Sequence, residues 1–202
     1  LSKIIIELFQ VTVKVLWYNQ KLLQMQPRKD NPVFRELFPI PILEHNVPER
    51  IADEVEQFVV PRLSSIPRPD NNAPHATDYF EDCVNKFQQQ SSIKHLHGVN
   101  QYTWWTQDYH EGDIHTEHEH GMNKISGVYW VRANDNAGGL YFRNPNPYVE
   151  YAHNENSQYG RRQYEFQPIK GKLLLFPSYL KHAVMPSSKN VVRTTIAFNV
   201  VR

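Results

Sequence analysis

A seven-residue segment, HTEHEHG at residues 115–121, contains three histidines and two glutamates. Imidazole nitrogens and carboxylate oxygens are common ligands of divalent transition metals. Side chains at positions i and i+2 of a β-strand lie on the same face, so His118 and His120 would project together and Glu119 would face away. The segment therefore predicts two imidazoles at adjacent positions of one metal ion. Without a metal, it would be a solvated, charged loop.

The local sequence contains a rival chelating pair. On one continuous strand, His115 and Glu117 would also share a face. Two histidines and one carboxylate with open positions are typical of non-haem Fe(II) oxygenases, whereas three histidines with an open fourth position form a known catalytic zinc set. The best candidate for a distant third ligand is His182, which follows the apolar run LLLFPS and begins another strand-like segment. A lone histidine can also be a hydrogen-bonded core residue.

An arginine interrupts the apolar run VVRTTIAFN, eleven residues after His182. Burying a guanidinium is costly unless it is paired, and a carboxylate that accepts two hydrogen bonds is its best partner. The partner of Arg193 could be an internal Asp or Glu, or a small dicarboxylic acid. Thr195 would share its strand face and add a hydroxyl donor.

The elements that must position these residues change in type near residue 92. Apolar spacing predicts two amphipathic helices, at about 48–60 and 77–90. Short strands separated by turn residues follow, with the spacing of a small antiparallel sandwich or barrel. The predicted strands are QYTWWTQ, KISGVYWV, GGLYFRN, QYEFQ, KLLLFPS and VVRTTIAFNVV. Trp104, Trp105, Tyr129 and Trp130 are expected to fill the barrel core, with some of them lining a dry pocket around the metal.

Composition limits the function classes. The 202 residues carry 22 Lys+Arg against 21 Asp+Glu, without the basic stripe that a nucleic-acid partner favours. The single cysteine allows no internal disulfide and suggests a reducing compartment. The apolar run at 4–17 is too short to span a membrane and lacks the features of a signal peptide. We expect it to pack as a strand or helix or to bind a partner, followed by a polar linker and an extended, proline-containing run up to residue 45.

Together, several stretches resemble the 2-oxoglutarate- and Fe(II)-dependent oxygenases, most closely the prolyl-hydroxylase-like branch found in marine phages and bacteria. The carrying stretches are EGDIHTEHEHGMNKISGVYWV, GGLYFRNP, GKLLLFPSYLKHAVMP and RTTIAFN. The resemblance implies a mainly β fold, a double-stranded β-helix (jelly-roll) with helices packed on one side. We accordingly expect an N-terminal extension at 1–45 and an oxygenase domain at 46–202, with helical support at about 46–92 and the β core at about 95–202.

The resemblance also implies a set of metal ligands. Most of the superfamily uses His-x-Asp/Glu and a distal His, whereas this branch tends to show His-x-His before Ser-Gly-Val-Tyr. Counting back from Ser126, His118 and His120 occupy the two histidine positions, and His182 is the distal ligand. Because this departs from the general pattern, His115 and Glu117 remain a rival pair.

By the same resemblance, Arg193 matches the arginine that binds the cosubstrate, Thr195 its hydroxyl companion, and Ser126 a further cosubstrate contact. The implied activity is hydroxylation of an unidentified substrate, with a peptidyl prolyl residue favoured. It would use Fe(II), 2-oxoglutarate and O₂, with ascorbate as a further cofactor. We expect action in the cytoplasm, including that of a phage-infected host, no membrane or nucleic-acid partner, and a homo-oligomer.

Three other classes compete with the oxygenase. A cupin-like metalloprotein would need the histidines but neither 2-oxoglutarate nor Arg193. A zinc hydrolase would use the histidines to activate water, but the sequence offers no obvious partner base. A non-enzymatic β-sandwich, such as a structural protein, would leave HTEHEHG as a solvated loop. Metal content and 2-oxoglutarate binding discriminate among them.

Overall fold

The computed structural model describes residues 14–15, 36, 38–59, 74–93, 100–134, 136–188 and 191–201. Within these ranges the chain forms three helices and ten strands. The helices are α1 (Glu49–Val59), α2 (Pro74–Ser91) and α3 (Val149–Ala152). The strands are β1 (Lys14–Val15), β2 (Leu43–Asn46), β3 (Gln101–Tyr109), β4 (His115–His118), β5 (Ile125–Arg132), β6 (Leu140–Arg143), β7 (Gln163–Phe166), β8 (Lys172–Pro177), β9 (His182–Val184) and β10 (Arg193–Val201).

The strands form two antiparallel sheets. The six-stranded sheet has the order β1-β2-β8-β5-β10-β3, and the four-stranded sheet has the order β4-β9-β6-β7. From β3 to β10 the chain passes repeatedly from one sheet to the other, with only β6 and β7 adjacent in both sequence and sheet. This topology is the predicted double-stranded β-helix.

The long helices pack on one face of the six-stranded sheet. Ile51 and Val55 of α1 and Phe80, Val84 and Phe87 of α2 are buried with residues of β5, β8 and β10 in one core cluster. Their spacing is the apolar periodicity that predicted both helices. Helix α2 begins three residues earlier than expected, because the Glu54 side chain accepts hydrogen bonds from the first backbone N–H groups of α2, at 3.1 Å and 3.4 Å. A cap supplied by another helix is invisible in the local sequence.

A second core lies between the two sheets. Trp130, Leu174 and Phe176 of the larger sheet are buried in one cluster with Leu140 and Phe142 of the smaller sheet. Every residue of β8 is buried, because this strand has the helices on one face and the second sheet on the other. A continuous apolar run such as KLLLFP is what two-sided burial requires.

Two elements differ from expectation, and some expected ones cannot be compared. Strand β2, which the sequence did not predict, pairs with β8 and spans the expected boundary at residues 45 and 46. The short helix α3 was also missed. Apart from β1, the apolar run at 4–17 and the linker that follows it lie outside the described residues, up to residue 35. In the part of the chain that is described, no helix has the length and apolar character needed to cross a membrane.

Candidate metal and cosubstrate site

Cross-strand pairing brings together two of the predicted histidines. Strand β4 is an edge of the smaller sheet and pairs only with β9 among the described strands, with His118 directly opposite His182. Directly opposed residues of antiparallel strands project on the same face. The two imidazole centroids are accordingly 4.4 Å apart.

His120 joins the pair by a different route from the one that the sequence predicted. Strand β4 ends at His118, so strand alternation does not extend to residue 120. Instead, the backbone N–H of His120 donates to the Ser178 carbonyl at 3.0 Å, and the chain then turns at Gly121, whose φ is +47°. The His120 ring lies 5.1 Å from each of the other two rings. One ligand atom from each imidazole lies within 4.8 Å of the others, so the three could hold one metal ion.

Two of the three imidazoles are oriented by backbone carbonyls. Nδ1 of His118 lies 2.7 Å from the Thr116 carbonyl, and Nδ1 of His182 lies 2.8 Å from the Leu180 carbonyl. A carbonyl only accepts hydrogen bonds, so each Nδ1 carries the proton and each Nε2 presents a lone pair. Such partners are usual behind metal-binding histidines.

The electrostatics of His120 and His182 favour neutral imidazoles, the form that binds a metal. Burial, reinforced by the neighbouring histidines, lowers the pKa of His182 to about 3, although its bond to the Leu180 carbonyl acts in the opposite direction. Burial also lowers the pKa of His120, with smaller contributions from His118 and His115. Protons therefore compete weakly with a metal for His120 and His182 near neutral pH.

The rival pair, His115 and Glu117, is split between the two sides of β4. His115 pairs with Val184 and His118 pairs with His182, so three residue steps along β4 match only two along β9. This bulge-like irregularity turns His115 toward His118. Their rings stack with centroids 4.1 Å apart. Glu117 lies on the other side, where its carboxylate accepts hydrogen bonds from Arg143 Nε at 2.9 Å and the Tyr141 hydroxyl at 3.3 Å.

Arg193 is buried in the same pocket as the histidines, with a relative exposure of 1%. Its Nη1 donates to the Gly138 carbonyl, and its guanidinium lies 4.1 Å from the centroid of the Tyr109 ring, which belongs to the directly opposed residue of β3. Burial lowers the pKa of the guanidinium. Its Nε and Nη2 have no hydrogen-bond partner among the described residues. Two unpaired, buried donors of a positive group fit the carboxylate of a small acid.

We call this pocket the inner pocket. It lies between the two sheets and is lined by both polar and apolar side chains. Thr195 and Ser126 line it, as do two of the four aromatic residues considered above, Trp105 and Trp130. The other two, Trp104 and Tyr129, face the helices instead. Further lining residues are Tyr109, Val128, Leu140, Phe176, Val184 and Phe198.

The hydroxyl groups of the two predicted cosubstrate contacts already have partners. Thr195 Oγ1 donates to the Gln107 carbonyl at 3.4 Å. Ser126 Oγ lies 2.8 Å from Ser178 Oγ and donates to Asn199 Oδ1 at 2.7 Å. Hydroxyls retain acceptor capacity in such arrangements, and a cosubstrate role for both residues stays a prediction.

The sequence assigned no role to Tyr109, which lines the inner pocket, or to Asn199, which contacts His120. Tyr109 could have been found only from the register of β3 and β10, which places it beside Arg193. Asn199 lies on the same strand as Arg193 and Thr195, at an even number of residues from both. Strand alternation could therefore have placed it on the same face as these two residues. Its amide lies 3.3 Å from Nδ1 of His120.

A second, larger cavity lies on the opposite side of the histidine segment, and we call it the outer cavity. It has a volume of about 510 Å³ and includes Glu117 and Glu119 in its wall. Glu119 therefore points away from the imidazoles, as predicted. The remaining wall consists mainly of the loop after β6, with Arg143, Tyr179 and Lys181.

Comparisons with known proteins give one family match and several similar folds. A family model described as "Putative 2OG-Fe(II) oxygenase" matches residues 103–199. In fold, the chain is similar to a prolyl-4-hydroxylase from Pseudomonas putida, at 14% identity and a TM-score of 0.59, over 80% of this chain and 88% of that one. It is also similar to a prolyl hydroxylase from Trichoplax adhaerens, solved with a hypoxia inducible factor oxygen degradation domain peptide fragment, at 20% identity and a TM-score of 0.51, over 79% and 82%.

A further similar structure is HygX from Streptomyces hygroscopicus with nickel and 2-oxoglutarate bound, at 7% identity and a TM-score of 0.51, over 79% of this chain and 81% of that one. The search of curated proteins gave no match. The two facing sheets and the imidazole cluster define a double-stranded β-helix with a candidate metal site. The family match over residues 103–199, together with this fold and site, supports a 2-oxoglutarate- and Fe(II)-dependent oxygenase, a class whose cosubstrates are 2-oxoglutarate and O₂.

Proposed function

We propose that this oxygenase binds Fe(II) through Nε2 of His118, His120 and His182. The convergence of three imidazoles in the lining of the inner pocket supports this set. Glu117 is engaged with Arg143 on the other side of β4, which argues against it as a ligand. His115 is close enough to His118 to affect its position, but it lies outside the set of three whose ligand atoms converge.

We propose that Arg193 binds the far carboxylate of 2-oxoglutarate, with Thr195 beside it. The observation that carries this proposal is the presence of two unpaired guanidinium donors in the pocket that the three histidines also line. A dicarboxylic acid can pair with the guanidinium at one end and leave its keto-acid end for the metal. Bound iron and 2-oxoglutarate supply oxidative decarboxylation to succinate, coupled to hydroxylation of the substrate. The apolar walls exclude water from that chemistry.

For the primary substrate we propose a prolyl residue within a polypeptide. Two of the similar structures are prolyl hydroxylases, and one of them is a complex with a peptide. The outer cavity shares the histidine segment as a wall, and its volume of about 510 Å³ suits several residues of a chain. Exposed aromatic side chains near it, Tyr148, Tyr151 and Tyr179, offer stacking surfaces for proline rings.

The test is turnover by the iron-loaded protein with a panel of proline-containing peptides. Each peptide is matched by one in which alanine replaces proline. Succinate formation and a mass gain of one oxygen atom on the proline peptide alone would support the proposal. Oxygen transfer to a nucleoside or to a small metabolite, with no peptide modified, would reject the prolyl substrate but keep the oxygenase.

The expectations about compartment, domain division, partners and oligomeric state stay proposals. We propose action in the cytoplasm, which agrees with the buried, free thiol of Cys83. Division into an extension at 1–45 and a domain at 46–202, independence from nucleic acid and membranes, and use of ascorbate also stay predictions.

For a homo-oligomer, we propose pairing through β3, because this nine-residue strand is an edge of the larger sheet as described and contains no proline or lysine that would discourage edge pairing. A monomer at all concentrations in light scattering would reject it.

A further inference from the structure

A chain of buried polar side chains connects one of the three candidate ligands to the middle of the larger sheet. Ser178 Oγ lies 2.8 Å from Ser126 Oγ, and Ser126 Oγ lies 2.7 Å from Asn199 Oδ1. Asn199 Nδ2 in turn lies 3.3 Å from Nδ1 of His120. We call these four residues the Asn199 network. Ser126, Ser178 and Asn199 are at most 6% exposed, so burial of these polar groups requires the bonds that they make with one another.

The network makes His120 different from the other two histidines. His118 and His182 are oriented by backbone carbonyls, which can only accept a hydrogen bond and so fix the proton on Nδ1. The partner of His120 is a carboxamide, which can present either an acceptor or a donor. His120 is therefore the candidate ligand whose tautomer is controlled by a side chain rather than by the fold of the backbone.

The tautomer matters because a metal at Nε2 requires the proton on Nδ1. With Nδ2 of Asn199 facing His120, as in the structure, the amide donates to Nδ1, and the proton of a neutral ring lies on Nε2. A half-turn of the amide reverses this arrangement. The carboxamide oxygen then accepts from Nδ1–H, and Nδ2 donates to Ser126. The reversal keeps all three bonds of the network, because Ser126 and Ser178 can exchange donor and acceptor roles by rotating their hydroxyl groups.

We propose that Asn199 is the positioning residue of His120, and that Ser126 and Ser178 support it in the orientation that leaves Nε2 free for the metal. This inference rests on the proposed ligand set. It gives Asn199 and Ser178 a role that neither the sequence nor the family match assigned to them. It also assigns Ser126 to metal positioning, in addition to any contact with the cosubstrate.

The test is titration of the metal-free protein with Co(II), followed by the visible absorption of the bound ion. Loss of a partner behind a metal-binding histidine typically weakens metal affinity by about 10–100-fold, and we expect this range for Asn199→Ala. Asn199→Asp should recover most of the affinity, since a carboxylate accepts from Nδ1–H. Ser126→Ala should have a smaller effect, and the effect should not add to that of Asn199→Ala, because both act through one chain of bonds.

The matched control is Asn100→Ala, which removes a partly buried asparagine amide that bonds to Asn85 and Gln88, with no described contact to the histidines. It should leave Co(II) affinity and the spectrum unchanged. Wild-type affinity in Asn199→Ala, combined with lost binding in His120→Ala, would overturn the inference alone. Wild-type affinity in His120→Ala would instead overturn the proposed ligand set.

A second measurement keeps the inference testable if Asn199→Ala does not fold. The variant Asn199→Leu keeps the branched shape of the side chain and removes both hydrogen-bonding groups, so it should show the same loss of affinity. In the wild-type protein loaded with Zn(II), nitrogen–proton NMR correlations should place the His120 proton on Nδ1 and show slow exchange with solvent. A proton on Nε2 of His120 in the loaded protein, or a rapidly exchanging Nδ1 proton, would overturn the assignment.

Discussion

Replacement of Arg193 by alanine should abolish most 2-oxoglutarate binding and leave the metal site intact. The guanidinium is buried, one nitrogen is bonded to the Gly138 carbonyl, and Nε and Nη2 are unpaired among the described residues. The alanine variant removes the cation and both available donors at once. The three imidazoles do not bond to Arg193 in the structure, so Fe(II) affinity should change little.

The magnitude follows from the burial of the pair. Truncating one partner of a buried, hydrogen-bonded charge pair costs about 2–5 kcal/mol, which corresponds to a roughly 30-fold to several-thousand-fold weaker affinity. The upper half of this range applies if both free donors engage one carboxylate. Arg193→Lys should recover only part of the loss, because an ammonium group cannot reproduce the paired geometry of the guanidinium.

The assay is calorimetric titration of 2-oxoglutarate into the anaerobic, Fe(II)-loaded protein, with succinate formation measured in parallel. Arg132→Ala is the matched control, because Arg132 forms an exposed ion pair with Glu56 of α1, away from the inner pocket. The control should bind 2-oxoglutarate as the wild type does. Wild-type affinity in Arg193→Ala would remove Arg193 from the cosubstrate site and leave its buried charge without an explanation.

Four further predictions concern the same region. Without 2-oxoglutarate, the Tm of Fe(II)-loaded Arg193→Met should be equal to or higher than that of the wild type, because the substitution removes a buried, incompletely paired charge. In thermal-shift measurements, 2-oxoglutarate should no longer raise the Tm of this variant. Burial holds the pKa of His182 at about 3, below its usual 6.5, so the unfolded chain takes up this proton at a higher pH than the folded one. As the pH is lowered from 6.5, the free energy of unfolding of the metal-free protein should therefore decrease, by about 2 kcal/mol at about pH 5. Urea titrations should show a weaker pH dependence for His182→Asn. Gly138→Ala should destabilise the protein by about 1–3 kcal/mol in denaturant titration, since the added Cβ would collide with the Met185 carbonyl. Glu119→Gln should leave Fe(II) affinity within about threefold of wild type in competition titrations, because an exposed substitution away from the ligands is worth about 0.5 kcal/mol or less.

The sequence predicted most of the β core because its pattern is local. Each of the six predicted strands overlaps a strand of the structure, since β-branched and aromatic runs bounded by turn residues are sufficient evidence. Strand β2 was missed because LEHN has little strand character of its own. LEHN forms a strand because it pairs with β8 and because the Leu43 side chain is buried in the core.

The site was predicted in part, for a reason that HTEHEHG illustrates. Strand alternation correctly separated Glu119 from its neighbouring histidines, but it gave the wrong account of how His118 and His120 come together. The strand ends between them, and a hydrogen bond to Ser178 places His120. The separation of His115 from Glu117 depends on the irregular pairing with β9. Registers and irregularities of this kind are set by partners distant in the sequence, so no local pattern contains them.

The most direct test of the proposed site is an anaerobic crystal structure with Fe(II) and 2-oxoglutarate, with the metal located by anomalous scattering at the iron edge. We expect one iron ion bound by Nε2 of His118, His120 and His182. We also expect 2-oxoglutarate to bind the iron through its keto-acid end and to pair with Arg193 through its far carboxylate. Iron held by His115 or Glu117, or 2-oxoglutarate bound away from Arg193, would contradict the proposed site.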